Sequence, residues 1–434
     1  MKKEIDSGTW ASQAVRGEFR AGKAATMPDV MDYAIDGLLP DTGASVWFGP
    51  GSTGKTQLLL WMAAHLAALE DVGPTHWLGQ PINRRGHVLV LSAGDLREHI
   101  FLRIGGIARA MKDAYPGIDT EALCDRIHVI PFLSLTEEEF TGMNPCLFRG
   151  QRESWHRTAS MKEIEEFIAT WNKNAAETDR IIGVILDSAV SMSGFELSNS
   201  AATTNLLFRI NRVSKRQNVF WAIVGHTPKG AAVNDEDPTV GAVERLRGSA
   251  MWSTAPRTVV ELRIADETEN LADVHRAYPD IGRRDVVIGM VVKANSKDAD
   301  FKPRVLRRLK KGAFEDLTDQ FPSVCAAWDP TVRGAAATRS GRLEAVADLI
   351  RNITDGGSPG ATFTRQQLEA EFREQFQNYP ALAGMVGDAG RENETSRDHL
   401  AYSLKQISKT ERVKVQRNGV IVVQDLAQPD AEAA

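Results

Sequence analysis

Residues 49–56 read GPGSTGKT, a short segment that combines glycines with a lysine and a hydroxyl side chain in the spacing G-x-x-x-x-G-K-[ST]. Glycines permit positive φ, so successive backbone N–H groups can converge on one anion. Lys55 can then reach the β- and γ-phosphates of a nucleotide, and the Thr56 hydroxyl can bind Mg²⁺. The predicted nucleotide-binding residues are Gly49, Gly51, Ser52, Thr53, Gly54, Lys55, Thr56 and Gln57.

Asp187 is a second candidate residue, because it ends the apolar run IIGVILD at residues 181–187. A carboxylate at the end of a strand can hold Mg²⁺ beside the hydroxyl of a phosphate-binding loop. An aspartate at such a position also commonly caps a helix. Since the glycine-rich segment lies upstream, we interpret Thr56 and Asp187 as Mg²⁺ ligands, and ATP with Mg²⁺ as the cofactors.

The segments that must position these residues alternate between apolar runs and amphipathic stretches. Strands are predicted at Ala44–Phe48, His87–Ser92, Arg126–Phe132, Ile181–Leu186 and Val219–Val224, and helices at Lys55–Glu70, Arg97–Met111, Met161–Asn174 and Ala202–Lys215. This alternation indicates an α/β fold with a parallel sheet covered on both faces. Later runs at Thr258–Ile264, Val286–Val292 and Arg304–Leu309 lack long helices between them, and we expect antiparallel edge hairpins there.

The C-terminal part differs in composition from the α/β core, which we place at residues 41–328 after an N-terminal segment, 1–40. Residues 329–342 are small and polar and predict a linker. Helical patterns at Leu343–Ile353, Thr364–Gln377 and Ser396–Thr410 precede two β-rich runs around Asn418-Gly419, a hairpin signal. Three helices followed by a hairpin predict a winged helix-turn-helix domain at 343–425, with a disordered tail at 426–434.

Composition narrows the class of protein. The chain has 434 residues, 42% of them hydrophobic, and no apolar run approaches the ~20 residues that span a bilayer. There is no apolar segment typical of a secretory signal, and Cys124, Cys146 and Cys325 form no CxxC pair, so we expect a cytoplasmic protein. The net charge of -5 excludes a uniformly basic surface, so any DNA contact must use a local basic patch.

The order and spacing of six segments resemble RecA-like ATPases of the RepA type, the plasmid replicative DNA helicases. Over about residues 35–317 these segments are IDGLLPDTGASVWFGPGSTGKT, HVLVLSAGD, IIGVILDS, WAIVGHTPKG, ERLRGSAMWSTAPR and VVKAN. The resemblance implies a RecA-like core with a mostly parallel twisted sheet. It also implies a homo-oligomeric ring, often a hexamer, that moves on single-stranded DNA by using ATP.

The resemblance implies roles for further side chains. His226 matches the family's γ-phosphate sensor, Arg257 its arginine finger for the neighbouring subunit's ATP, and Arg103 a second phosphate-directed arginine. A buried structural histidine and two surface arginines are the alternatives. Lys293 is a weaker candidate for a cation that acts on the neighbouring subunit.

One position departs from the family pattern. Relatives carry Glu-Asp after the strand His87–Ser92, with the glutamate polarising the attacking water, and this chain has Gly94-Asp95. Asp95 can order water at Mg²⁺ or, with a shift of one residue, act as the base, and Glu98 is a more distant candidate. Loss of a general base typically costs about 10²–10⁴ in rate.

Candidate DNA contacts fall in two regions. The long loop at 227–244 and the Ser- and Asn-rich stretch 188–204 would line a ring channel for single-stranded DNA, although Lys229 is the only base in the first. Duplex or forked DNA would contact the winged helix through Arg397, Lys405, Lys409, Arg412, Lys414 and Arg417. A winged helix can instead bind a protein.

We therefore interpret the chain as a RecA-like ATPase that acts on DNA, specifically a RepA-like helicase. Two alternatives remain. One is a slowly hydrolysing ATP-gated DNA-binding or loading protein, and the other is a regulatory ATPase ring that binds a protein partner.

Overall fold

The computed structural model describes residues 13, 22, 31–136, 145–151, 154–228, 242–265, 271–282, 284–325, 339–354, 356, 358–375, 413–416 and 420–424. The strands in these ranges are β1 (Tyr33–Ile35), β2 (Leu39–Pro40), β3 (Gly43–Phe48), β4 (His76–Trp77), β5 (Gln80–Pro81), β6 (His87–Ser92), β7 (Ile127–Pro131), β8 (Phe148–Gln151), β9 (Ser154–Arg157), β10 (Ile181–Asp187), β11 (Phe220–Val224), β12 (Thr258–Ile264), β13 (Val286–Ala294), β14 (Arg304–Arg308), β15 (Phe314–Asp316), β16 (Thr362–Thr364), β17 (Val413–Val415) and β18 (Val420–Val423). The helices are α1 (Lys55–Ala67), α2 (Arg97–Ala114), α3 (Thr120–Asp125), α4 (Ala159–Asn174), α5 (Ala189–Met192), α6 (Ser200–Gln217), α7 (Met251–Thr254), α8 (Ala272–Ala277), α9 (Arg339–Ile353) and α10 (Arg365–Gln375).

A large mixed sheet in the order β15-β14-β13-β12-β3-β11-β10-β6-β7 organises the core. The strands from β12 to β7 run parallel to one another, so the mostly parallel α/β sheet is confirmed. The prediction for Thr258–Ile264 was wrong in one respect. This strand pairs in parallel with β3, and the antiparallel extension begins only with its other neighbour, β13.

Both faces of the sheet are buried because its strands are apolar on both sides. In β6, Val88 and Val90 face one hydrophobic cluster with α1 and α2, whereas Leu89 and Leu91 face a second cluster with α4 and α6. Helix α1 is buried over almost its whole surface, as expected for a helix that is hydrophobic all round. The element that follows the glycine-rich segment is therefore fixed on all sides by packing.

The N-terminal border of the core lies earlier than the predicted residue 41. The β1–β2 hairpin buries Ile35 and Leu39 completely, in the same cluster as α1 and Trp77. Residues 33–40 therefore belong to the packed core rather than to a separate segment.

The C-terminal region contains α9, α10 and an antiparallel sheet in the order β16-β18-β17. Helix α9 begins at Arg339, inside the stretch 329–342 that we predicted as a linker. The Thr364 hydroxyl accepts a hydrogen bond from the Gln367 N–H, so Thr364 caps the start of α10. The predicted helix Ser396–Thr410, the turn Asn418-Gly419 and the tail 426–434 lie outside the described residues, so the winged helix stays a prediction.

Within the described part of the chain, no helix is both long and apolar enough to cross a bilayer.

A close contact between β10 and β11 gives a test of this packing. A Cβ on Gly183 would lie 1.9 Å from Cζ of Phe220, the residue paired with it in register, and Phe220 is fully buried. Gly183→Ala should therefore lower the free energy of unfolding by about 1–3 kcal/mol, measured by denaturant titration.

The matched control is Gly94→Ala, because a Cβ there meets no atom within 4 Å. Phe220→Leu should recover part of the loss when it is combined with Gly183→Ala, since the two residues share one space. Additive losses in the double variant would contradict this contact.

Candidate nucleotide-binding site

The loop between β3 and α1 has a backbone shape that its sequence explains. A Cβ on Gly49 would lie 1.9 Å from the Leu262 carbonyl oxygen, so only glycine fits there. Ser52 and Gly54 have φ values of 64° and 85°, both in the left-handed region. Gly54 is also the N-cap of α1, and no side chain caps the helix at this end. The first-turn N–H groups can therefore serve as anion donors.

Lys55 is buried at this loop and holds it together. Its Nζ donates to the carbonyl oxygens of Gly49 at 2.9 Å and Pro50 at 2.7 Å. Burial lowers the pKa of Lys55 to about 8; the nearby Asp187 carboxylate opposes this effect and the Arg308 guanidinium adds to it. An ammonium group with so little contact with water is well suited to bind phosphate oxygens.

Thr56 and Asp187 are brought together by the fold, as the Mg²⁺ interpretation requires. The Thr56 hydroxyl donates to Asp187 Oδ2 at 2.6 Å. Burial raises the pKa of the Asp187 carboxyl, and the charge of Asp95 adds to this, whereas Thr56, Lys55 and Arg103 lower it. One hydroxyl and one carboxylate suit Mg²⁺, which commonly takes one or two protein ligands together with waters and substrate phosphates.

Gly94 and Asp95 lie next to this pair. Strand β6 pairs with β10 so that Ser92 lies opposite Asp187, and the Ala93 N–H donates to the Asp187 carbonyl oxygen at 3.0 Å. Arg103 Nη1 donates to Asp95 Oδ2, so these two predicted site residues form an ion pair. Gly94 is exposed, its φ is not positive, and a side chain there would meet open space. The chain therefore lacks a carboxylate at a position that has room for one.

His226 lies just beyond the end of β11 and close to the loop. The adjacent Thr227 N–H donates to the Gly49 carbonyl oxygen at 3.3 Å. Burial lowers the pKa of His226, and the positive charges of Lys55 and Arg247 lower it further. The imidazole is consequently neutral at neutral pH and can donate one N–H hydrogen bond to a phosphate oxygen.

The loop, Thr56, Asp187 and His226 lie at the edge of the sheet where the parallel strands end, and Arg257 lies at the opposite edge, where they begin. Its N–H donates to the Ala44 carbonyl oxygen at 2.7 Å, and its exposed side chain packs beside Gly43, where β3 begins. The glycine-rich loop follows the other end of β3, about 20 Å away at ~3.3 Å per residue. Lys293 lies at the same edge as Arg257, where its Nζ donates to the Pro256 carbonyl oxygen. Neither cation can reach the loop of its own chain.

Of the predicted DNA-contacting residues, the structure describes only one. Lys414 is exposed on β17. The others, Lys229, Arg397, Lys405, Lys409, Arg412 and Arg417, lie outside the described residues. The stretch 188–204, expected to be a loop, contains α5 and the start of α6.

Sequence reasoning missed one cation at the loop. Arg308, the last residue of β14, donates from Nη2 to the Ser52 carbonyl oxygen at 2.7 Å. Its only sequence signal is a pair of arginines, 307 and 308, at the end of a strand.

Comparison with family models gives a match over the part of the chain that contains the glycine-rich loop. A family model described as "AAA domain" matches residues 12–232, just over half of the 434 residues. No curated protein sequence matches the chain. Among solved structures, "ATPase Domain of G40P" is similar at 12% identity and a TM-score of 0.40, covering 71% of this chain and 99% of that chain.

The open space at Gly94 generates a test of hydrolysis. Gly94→Glu would place a carboxylate beside the Thr56–Asp187 pair, and ATP turnover should rise about tenfold or more, as expected for a restored general base. Asp95→Asn in the original chain should remove most of the remaining turnover. Steady-state phosphate release measures both effects.

Gly94→Gln is the matched control, because it adds similar bulk without a carboxylate and should leave turnover unchanged. A folded, ATP-binding Gly94→Glu protein that is no faster would contradict the assignment of this position. Brisk turnover that is indifferent to Asp95→Asn would place the base elsewhere.

Proposed function

The chain belongs to the AAA domain family, and we propose that it is a DNA-acting P-loop ATPase of that family, a RepA-like replicative helicase that translocates on single-stranded DNA. The observation that supports this best is the division of the candidate machinery between two edges of one sheet. The glycine-rich loop, Thr56 and Asp187 lie at one edge, and the exposed Arg257 lies at the other.

The residues at the first edge divide the binding work. Lys55 and the loop N–H groups would hold the phosphates, and Thr56 and Asp187 would hold Mg²⁺, which when bound would neutralise charge on the phosphate oxygens. Asp95 is paired with Arg103 and would order water near Thr56 and Asp187. The neutral His226 would donate a hydrogen bond to the terminal phosphate.

Arg257 completes this arrangement only in an oligomer. Because it cannot reach its own loop, a role at phosphate requires the loop of a neighbouring chain. Head-to-tail contacts of one edge with the opposite edge are heterologous, and such contacts close into rings when the rotation permits. A homo-oligomeric ring, often a hexamer in the RepA type, fits this requirement.

Hydrogen bonds connect the phosphate site with the residues that flank the 227–244 loop. The Arg247 N–H donates to the His226 carbonyl oxygen at 2.8 Å, so the two ends of the loop are joined. Arg245 forms a buried bidentate ion pair with Glu261 of β12, at 2.8 Å and 2.5 Å. A movement of His226 in response to phosphate would therefore reach the segment that we assign to single-stranded DNA.

Gly94 favours a second candidate function, an ATP-gated DNA-binding or loading protein that hydrolyses slowly. The loop and the Mg²⁺ ligands would be retained for binding, while the position of the base carries no carboxylate.

The decisive experiment is ATP turnover with and without single-stranded DNA, together with strand separation on a forked duplex. The helicase proposal predicts turnover stimulated by DNA, and unwinding that Lys55→Ala abolishes, because the phosphate-binding ammonium is lost. Lys302→Ala is the control, because it removes an exposed lysine that pairs with Asp319 at 3.0 Å, and it should leave ATP affinity unchanged.

Other outcomes separate the alternatives. ATP-dependent DNA binding without unwinding would favour the loading protein. Absence of both DNA binding and stimulation would favour a regulatory ring with a protein partner. Native ATP affinity in Lys55→Ala would overturn the assignment of the site.

The position of Arg257 gives a further prediction. Lys55→Ala protein and Arg257→Ala protein should each be inactive, and a mixture should regain some ATP turnover, because one type of interface combines an intact loop with an intact arginine. No recovery, in a mixture shown by labelled subunits to exchange, would remove Arg257 from the neighbouring site.

A further inference from the structure

Arg308 approaches the glycine-rich loop from a part of the sheet that is remote in sequence. It ends β14, three strands away from β3 in the sheet order, and is 256 residues from its hydrogen-bond partner Ser52. The loop is therefore contacted from two sides. Asp187 on β10 lies on one side, and Arg308 lies on the other.

The guanidinium of Arg308 packs closely against the loop at Gly54. A Cβ on Gly54 would lie 3.1 Å from Arg308 Nε, 3.2 Å from Nη2 and 3.3 Å from Cζ. The space left by the missing side chain of Gly54 is therefore occupied by the guanidinium. Nη2 donates to the carbonyl oxygen of Ser52, a non-glycine residue in the left-handed region. A charged hydrogen bond there offsets the cost of this backbone conformation.

The turn that follows Arg308 is held against the loop as well. Gln57, in the first turn of α1, donates to the Gly312 carbonyl oxygen at 2.5 Å. Lys311 forms an ion pair with Asp113 of α2. The β14–β15 hairpin is thus tied to two helices of the core, which limits the positions that Arg308 can take.

The charge of Arg308 acts on Lys55, and one of the Arg308 hydrogen-bond donors lacks an acceptor among the described residues. Its proximity contributes to the lowered pKa of Lys55, so the two cations share one field. Arg308 Nε is buried and has no hydrogen-bond partner among the described residues. A buried donor without an acceptor is unfavourable, and an anion nearby would relieve it.

We propose that Arg308 is a positioning residue for nucleotide binding, which holds the Ser52 carbonyl oxygen and adds a fixed positive charge beside the phosphates. This inference rests on the proposed ATP site. The residues that would face the terminal phosphate are Asp187, Asp95 and His226, and they lie on the far side of β3 from Arg308. Arg308 therefore acts on the part shared by ATP and ADP and takes no part in hydrolysis.

The test compares Arg308→Gln with the original chain by titration with ATP and ADP. Both dissociation constants should rise about tenfold or more, as expected for loss of a charged hydrogen bond. KM for ATP should rise by a similar factor, while kcat stays within about twofold. The decrease in affinity with added salt should become shallower, because one charge is lost. Arg308→Lys keeps the charge without the planar fork and should give an intermediate affinity.

Arg307→Gln is the matched control on the same strand. Its side chain pairs with Glu315 at 3.0 Å and lies 3.9 Å over the Tyr278 ring, away from the loop. This variant should bind both nucleotides like the original chain.

Four outcomes would overturn the inference. Unchanged affinity in folded Arg308→Gln, while Lys55→Ala loses binding, would refute the role of Arg308 and leave the ATP site intact. A loss confined to kcat in Arg308→Gln would also contradict it, as would an affinity of Arg308→Lys equal to that of the original chain. Failure of the original chain to bind any nucleotide would overturn the proposed function together with this inference.

Discussion

The hydrogen bond between Thr56 and Asp187 depends on the parallel alignment of the central strands. Thr56 follows β3, Asp187 ends β10, and β11 lies between the two strands. Since parallel strands bring their carboxyl ends to one edge, residues 131 positions apart meet there without any local signal. The same alignment brings His226 and Asp95 to this edge. Any slip of register between β10 and β6 would separate Asp187 from Ser92 and its neighbours.

The central strands could be predicted because their sequences are apolar on both faces. His87–Ser92 and Thr258–Ile264 have the predicted bounds, and the predicted glycine-rich loop indeed lies between a strand and a helix. The short strands β4, β5, β8 and β9 were missed, because two to four residues are too few to show a period. The orientation of β12 was missed for another reason. Sequence shows that no long helix follows it, but not which strand lies on its other side.

The candidate site shows the same limit. The spacing of residues 49–56 specified the loop from neighbouring residues alone, and the strand end identified Asp187. Arg308 could not be found in this way, since its contact with Ser52 depends on how the antiparallel extension curves back over α1. The pairing of Arg103 with Asp95 was also not predicted, because Asp95 lies before α2 begins and the contact depends on how the chain enters that helix.

The position of Arg257 at the far edge has a consequence for how ATP hydrolysis depends on the concentration of the protein. In the proposed arrangement, a solitary chain holds ATP with an incomplete set of charges around it. The rate of ATP hydrolysis would then depend on the fraction of chains that have assembled, and it would rise more steeply than the protein concentration. Newly made or dissociated chains would not hydrolyse ATP until they assemble.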